Sequence, residues 1–171
     1  MRERVTQDRL RAFMRALARE AVAEGRIYLT GGATAVLQGW RESTLDVDIK
    51  IIPEHDRVLR AIPEVKEALQ INVELASPDD FIPQLPGWED RSRFIAREGQ
   101  LSFHHYDFYA QALAKIERDH DLDRQDVRAM IDNGLVEPAK LLGFFTAIEP
   151  DLYRYPAINP ARFAERVRKL Q

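Results

Sequence analysis

One stretch of the chain, Leu29 to Lys50 (LTGGATAVLQGWRESTLDVDIK), constrains the fold more than any other. A short β-prone run ends at the pair Gly31-Gly32, and the segment ATAVLQ that follows is compatible with a short helix. The run TLDVDIKII then alternates acidic and apolar residues, as a strand does when one of its faces is covered. The pattern predicts a strand, a tight turn, a helix and a second strand in close succession.

Helices and strands continue to alternate on both sides of this stretch. Apolar residues spaced three to five apart over residues 5–24 predict an N-terminal helix that closes at Gly25. Residues 54–69 have a helical pattern, with Pro63 at a boundary or first-turn position. The segment QINVELA alternates again, and it predicts a strand with Glu74 on its polar face.

The pattern changes in the second half of the chain. Residues 92–108 predict a β-hairpin, and from Tyr109 onward the periodicity is helical. Asn159, followed by a proline, predicts the start of the last helix. We therefore predict an α/β fold, a twisted mixed β-sheet flanked by helices, with a C-terminal helical extension. The predicted domains are an α/β core with the N-terminal helix at residues 1–110 and a helical region packed on it at residues 111–171.

The composition excludes several classes of function. The chain has no cysteine, which excludes disulfides, thiolate catalysis and cysteine-based zinc sites. Its four histidines lack the spacing of a zinc site, whereas a metal site built from carboxylates stays open. A formal net charge of −3 argues against a stable nucleic-acid complex made by this chain alone. The charged N-terminus and the lack of a membrane-spanning apolar window predict a cytoplasmic protein without membrane contacts.

The pair Asp46 and Asp48 favours a metal site. Alternate side chains of a strand project to the same face, about 6.6 Å apart along the chain, so both carboxylates can converge on one metal or on two. Two like charges side by side destabilise a strand unless a cation neutralises them. If the strand of Glu74 is adjacent, a third carboxylate joins the pair, and such oxygen ligands suit a magnesium–nucleotide complex.

The pair Gly31-Gly32 has two explanations. Backbone amides at a turn without side chains, directly before a helix, can bind phosphate groups. The spacing of these glycines matches neither of the two common glycine-rich phosphate motifs, and a tight strand-to-helix turn explains them equally well.

The order of these residues resembles the nucleotidyltransferase superfamily with the polymerase-β-type core. The resemblance covers residues 27–130, and it is greatest to small bacterial nucleotidyltransferase-like proteins, including relatives of the toxins of abortive-infection toxin–antitoxin pairs. The matching residues are Gly31, Gly32, Gly39, Arg41, Thr44, Asp46, Asp48 and Glu74. A later segment, ALAKIERDHDLDRQDV, is similar to a helical segment of these proteins and contains Lys115.

The resemblance implies a role for each residue of the first motif. Gly31 and Gly32 would hold the β- and γ-phosphates of a nucleoside triphosphate, and Asp46 and Asp48 would bind Mg²⁺ or Mn²⁺. Glu74 would complete the metal site and help to deprotonate an acceptor hydroxyl.

The roles of three other matching residues have alternatives. Arg41 and Thr44 would either position the strand or contact the nucleotide. Lys115 would reach the triphosphate, or it is an ordinary surface lysine. Two departures from the family pattern leave catalysis open, because Gly32 stands where many active members have serine and Glu74 stands where they have aspartate.

We therefore expect a nucleotidyltransferase-like protein that binds a Mg²⁺–nucleoside triphosphate complex and transfers a nucleotidyl group to a hydroxyl of RNA or protein. One alternative is a catalytically inactive nucleotide-binding scaffold. Another is a protein whose main role is to bind a partner, such as the antitoxin of a toxin–antitoxin pair or another protein.

Overall fold

The computed structural model describes residues 2–171, which form eight α-helices and five β-strands. The helices are α1 (Gln7–Ala18), α2 (Gly32–Gln38), α3 (Asp56–Leu69), α4 (Trp88–Arg91), α5 (Phe108–Arg118), α6 (Asp121–Asp132), α7 (Pro138–Ile148) and α8 (Pro160–Arg168). The strands are β1 (Gly25–Thr30), β2 (Asp46–Ile52), β3 (Asn72–Leu75), β4 (Arg93–Glu98) and β5 (Leu101–His105). None of the helices in this described part has the length and apolar character that a membrane span requires.

The five strands form one mixed sheet in the order β3-β2-β1-β5-β4. β1 pairs antiparallel with β2 and parallel with β5, and β2 pairs parallel with β3. β4 and β5 form the predicted antiparallel hairpin at one edge. The predicted α/β fold, with a mixed sheet, flanking helices and a helical C-terminal region, is confirmed.

The chain divides into two compact units. The sheet unit comprises the described residues up to Ser77 together with Ser92–His105, and it contains the sheet and α1 to α3. The helical unit comprises Pro78–Arg91 and Tyr106–Gln171, and it contains α4 to α8. The predicted domain division between residues 110 and 111 stays a prediction.

The core of the sheet unit forms where the alternating strands meet two amphipathic helices. Val47, Ile49 and Ile51 of β2 are buried, and the residues between them are only partly covered. The buried side chains of β1 and β5 join this face, and α1 and α3 cover it with side chains such as Phe13 and Val58. Burial of one strand face leaves the opposite face of β2 to its polar residues.

Two predicted boundaries are wrong. α1 ends at Ala18, because Leu17 is the last large side chain of its apolar face, and Gly25 instead begins β1. α3 runs without a break through Pro63. Proline removes one backbone donor, but the apolar face of α3 is buried on both sides of it, by Val58 and Val65 among others, and this packing holds the helix together.

Ile49 and Leu75 provide a matched pair for testing the core, since they lie opposite each other in the pairing of β2 with β3. Ile49 is 1% exposed, whereas Leu75 is 58% exposed. Ile49→Ala is expected to lower the free energy of unfolding by about 2–4 kcal/mol, and Leu75→Ala by no more than about 0.5 kcal/mol. Urea denaturation measures both values, and equal losses would contradict the burial of Ile49 and the exposure of Leu75.

Candidate functional site

Asp46, Asp48 and Glu74 lie on one face of two adjacent strands. Asp46 and Asp48 alternate with the buried residues of β2, so both project from the face opposite the core. In the parallel pairing with β3, Asn72 lies opposite Asp46 and Glu74 lies opposite Asp48. The structure therefore brings together the three strand positions that the sequence analysis proposed as a site.

Asn72 is a member of this group that the sequence analysis missed. Its Nδ2 atom donates hydrogen bonds to Asp46 Oδ1 at 2.7 Å and to Glu74 Oε1 at 3.1 Å. One amide thus bridges two carboxylates and offsets part of their mutual repulsion. The only signal in the sequence is that Asn72 shares the polar face of its strand with Glu74.

The donor atoms at this site suit a hard cation. Mg²⁺ is usually bound by one or two carboxylates together with the phosphates of a substrate, and Asp46 and Asp48 supply two carboxylates. In residues 2–171, no group of three or more histidine, aspartate or glutamate side chains is arranged to hold a metal ion. A metal at this place would therefore take further ligands from phosphate or water.

The Gly31-Gly32 turn lies directly beside these carboxylates. Gly31 has a φ of +63°, and a Cβ atom added to it would lie 3.2 Å from Asp48 Oδ2. A Cβ atom added to Gly32 would lie 2.0 Å from Thr44 Oγ1. Side chains at either position would fill the space next to β2, so the turn needs glycine for its conformation at Gly31 and for its close approach at Gly32.

Arg41 and Thr44 both lie against the same turn. A Cβ atom at Gly32 would lie 3.2 Å from Arg41 Nη1, which places a guanidinium beside the glycines. Thr44 is buried, and its backbone exchanges hydrogen bonds with Val5 at 2.7 and 3.0 Å. Thr44 is thus held by the N-terminal segment, which supports its role in positioning β2, whereas Arg41 contributes a positive charge at the turn.

His105 forms hydrogen bonds to α2, the helix that follows the glycine turn. The sequence analysis missed these contacts. Gln38 Nε2 lies 3.1 Å from His105 Nε2, and Thr34 Oγ1 lies 3.1 Å from His105 Nδ1. Because an amide nitrogen only donates, His105 Nε2 accepts from Gln38, and Nδ1–H donates to Thr34. The Thr34 hydroxyl in turn donates to the carbonyl of Leu29. This chain of donors and acceptors requires a neutral imidazole.

The environment of His105 agrees with that charge state. Burial, together with the positive charges of Arg93 and Arg11, lowers the pKa of His105 to about 4. The imidazole is therefore neutral at physiological pH and links β5 to both ends of α2.

A comparison with known protein families identifies the family of this chain. The family described as nucleotidyltransferase of unknown function (DUF6036) matches residues 9–142. This chain belongs to that family. No curated protein and no solved structure matches it. The predicted resemblance to nucleotidyltransferases is thus confirmed, and the link to abortive-infection toxins stays a prediction.

The match to the nucleotidyltransferase family extends into the helical unit, where Lys115 lies. Lys115 is 8% exposed, and its Nζ atom lies 2.7 Å from Asp126 Oδ2 and 3.7 Å from Asp123 Oδ1. Lys115 is therefore not an ordinary surface lysine, but part of an ionic network between α5 and α6. Its predicted contact with a triphosphate stays a prediction.

Asp123 is the second buried aspartate of this ionic network. It is 1% exposed and accepts two hydrogen bonds from Arg118, at 2.6 and 2.8 Å. Burial by itself raises the pKa of Asp123, but the bonds from Arg118 and from the backbone N–H of His120 outweigh burial and hold that pKa below its usual value. The carboxylate is therefore charged when it pairs with Arg118 and Lys115.

Gly32→Ala is expected to destabilise the sheet unit by about 1–3 kcal/mol, because the new methyl group would clash with Thr44. Gly32 has no positive φ, so the effect comes from crowding rather than from backbone strain. Gly143→Ala is the control, since nothing lies within 4 Å of its added Cβ atom. That helical substitution should stabilise the protein by about 0.5–1 kcal/mol. Thermal and urea unfolding measure both, and a neutral Gly32→Ala would disprove the close approach.

The free energy of unfolding should fall as the pH falls from about 6.5 to 4, because His105 takes up a proton more readily in the unfolded chain. Between pH 7.5 and pH 5, the wild type should lose about 2 kcal/mol more stability than His105→Gln. Urea titrations at a series of pH values test the difference. Equal pH dependence of the two proteins would show that His105 is not held neutral.

Proposed function

We propose that this protein binds a nucleoside triphosphate together with Mg²⁺ and transfers its nucleotidyl group to a hydroxyl of RNA or protein. The observation that carries the proposal is the contact between the glycine turn and the β2 carboxylates. A Cβ atom at Gly31 would lie only 3.2 Å from Asp48 Oδ2. The turn that would receive phosphate therefore lies next to the acid that would hold the metal of the same nucleotide.

Different residues of the sheet unit would bind the metal and the phosphates of the nucleotide. Asp46 and Asp48 would hold Mg²⁺, which when bound neutralises phosphate charge and polarises the reacting phosphate. The Gly31-Gly32 turn would present backbone amides to the phosphate oxygens, since neither residue carries a side chain of its own. The Arg41 guanidinium, beside this turn, would add a charge-assisted hydrogen bond to phosphate.

Glu74 is the residue that we propose to receive the proton of the acceptor hydroxyl. It is exposed, it lies opposite Asp48, and one of its oxygens accepts from Asn72 at 3.1 Å. A carboxylate held by one donor keeps other lone pairs for a hydroxyl. The proton would pass from the hydroxyl to Glu74 as the oxygen attacks the α-phosphorus, and pyrophosphate would leave.

A second candidate function is nucleotide binding without transfer. It is supported by the bridge from Asn72 to Asp46 and Glu74, which gives these two carboxylates a hydrogen-bonding partner without any cation. In that case Glu74 would serve the structure of β3, and the glycine turn would bind the nucleotide for recognition only.

Nucleotide titration tests the site. Binding of each fluorescently labelled nucleoside triphosphate is expected to require Mg²⁺ and to weaken about 10- to 100-fold in Asp48→Asn, since one metal ligand is lost. Asp132→Asn is the control, because Asp132 is exposed and belongs to the helical unit. Mg²⁺-dependent binding of unchanged affinity in Asp48→Asn would refute the assigned site.

A transfer assay on the same proteins separates the two candidates. The wild type is incubated with α-³²P-labelled triphosphate and either total RNA or total protein, and label on a macromolecule is measured. Label transfer that is lost in Glu74→Gln but kept in the control Glu54→Gln, whose side chain is exposed, supports the transferase. Nucleotide binding without transfer to either acceptor supports the second candidate.

A further inference from the structure

The helical unit contains a cavity of about 430 Å³, and Lys115 is the one residue of its lining that the sequence analysis proposed for nucleotide binding. It lies among α5, α6 and α8, and α5 packs against both of the other helices. A volume of this size is within the range of pockets that bind small molecules. The cavity is therefore large enough for a ligand of its own.

One face of each flanking helix lines this cavity. α6 contributes Arg124, Val127, Arg128 and Ile131 at the spacings of three and four expected for one helix face, with Asp123 beside them. α8 contributes Arg162, Glu165 and Arg166, and Lys169 and Leu170 directly follow its last residue. Most of the lining thus lies on the faces of regular helices.

The cavity has an apolar part. Ile116 and Val127 are buried, and Ile131 and the partly buried Leu170 extend the apolar lining toward solvent. Water next to such a surface is displaced favourably by an apolar group of a ligand. These four side chains therefore favour a ligand with an apolar or planar body.

The charged lining is positive, although the whole chain is negative. Six cationic and three acidic side chains line the cavity, a formal charge of +3, while the chain as a whole carries −3. Most of these cations have partners, because Lys115 pairs with Asp126, Arg124 and Arg166 pair with Asp119, and Lys169 pairs with Glu165.

Arg128 and Arg162 are different. Across residues 2–171, neither guanidinium makes an ion pair or a hydrogen bond. Both side chains line the cavity from opposite helices, α6 and α8. A guanidinium binds phosphate and carboxylate groups with paired hydrogen bonds, and these two have that capacity unused.

We propose that this cavity binds a small organic anion, whose phosphate or carboxylate group contacts Arg128 and Arg162 and whose apolar body lies on Ile131 and Leu170. Both halves of the lining are needed for this choice. An inorganic anion would leave the apolar surface covered by water, and a neutral apolar molecule would leave the two guanidiniums without an anion. The inference does not depend on the proposed nucleotidyl transfer.

The direct test uses 8-anilinonaphthalene-1-sulfonate, a fluorescent molecule with an apolar body and one anionic group, in the absence of magnesium. Wild type should bind it saturably with one site, and Arg128→Gln/Arg162→Gln should bind it about 10-fold more weakly. The control is Arg60→Gln/Arg168→Gln, which removes the same charge from exposed side chains outside the cavity. Circular dichroism confirms that all of the proteins are folded.

Competition then identifies the anionic group. Adenosine monophosphate supplies phosphate on a planar body, octanoate supplies carboxylate on an alkyl body, and inorganic phosphate supplies the charge alone. Displacement of the dye by one of the first two, with inorganic phosphate inactive at equal ionic strength, supports the proposal and names the group.

Three results would overturn the proposal. The first is equal dye affinity in the cavity variant and the control variant, which would locate binding elsewhere. The second is displacement by inorganic phosphate as effective as that by the organic anions, which would remove any role for the apolar lining. The third is dye that neither adenosine monophosphate nor octanoate displaces, which would show that the cavity does not accept an organic phosphate or carboxylate.

Discussion

The geometry of the candidate site depends on the close approach of Gly32 to Thr44. Only a residue without a side chain lets the turn lie so near to the segment that leads into β2. Thr44 is itself fixed by its backbone pairing with Val5, so the N-terminal residues support the turn indirectly. The antiparallel pairing of β1 with β2 then sets Thr30 opposite Asp48 and places the glycines beside that carboxylate. The glycine turn and the acidic strand of the candidate site thus lie side by side.

The helix behind the turn is held from the other side by His105. Its two ring nitrogens contact Thr34 and Gln38, so a single imidazole constrains both ends of a seven-residue helix. A short helix has little stability of its own and depends on such tertiary contacts. The glycine turn consequently packs against Thr44, and the helix that follows the turn is fixed by hydrogen bonds to His105.

The sequence predicted those parts of the fold and site that are encoded in short segments. Alternation identified β2, which buries one face, and β3, in which Val73 is the buried residue. The Asn159 cap was confirmed because capping involves only neighbouring residues, here the N–H of Arg162. The prediction of a helix boundary at Pro63 was wrong because burial of the apolar face of α3 overrides the tendency of proline to interrupt a helix. The sequence pattern also did not predict the break between α5 and α6, because the break depends on Asp119 adopting a φ of +59° within a stretch of helical periodicity.

Contacts between residues far apart in the chain were beyond the reach of the sequence patterns. The bridge from Asn72 to Asp46 depends on strand pairing, and the contact of His105 with α2 depends on the order of strands in the sheet. Lys115 shows the same limit, because its spacing on α5 says nothing of the two aspartates on α6 that surround its charge. Motif spacing identified where acids and glycines lie, whereas their hydrogen-bonding partners required the fold.

The interleaving of the two units has a consequence for synthesis. The chain passes between them three times, because Pro78–Arg91 belongs to the helical unit and lies in sequence between two pieces of the sheet unit. β1 and β5 pair although Pro78–Arg91 lies between them in the sequence. The β1–β5 pairing at the centre of the sheet must therefore wait until residue 105 has left the ribosome. The sheet unit therefore cannot be completed during synthesis before the first part of the helical unit has been made, and the edge of β1 that pairs with β5 stays unpaired until β5 emerges.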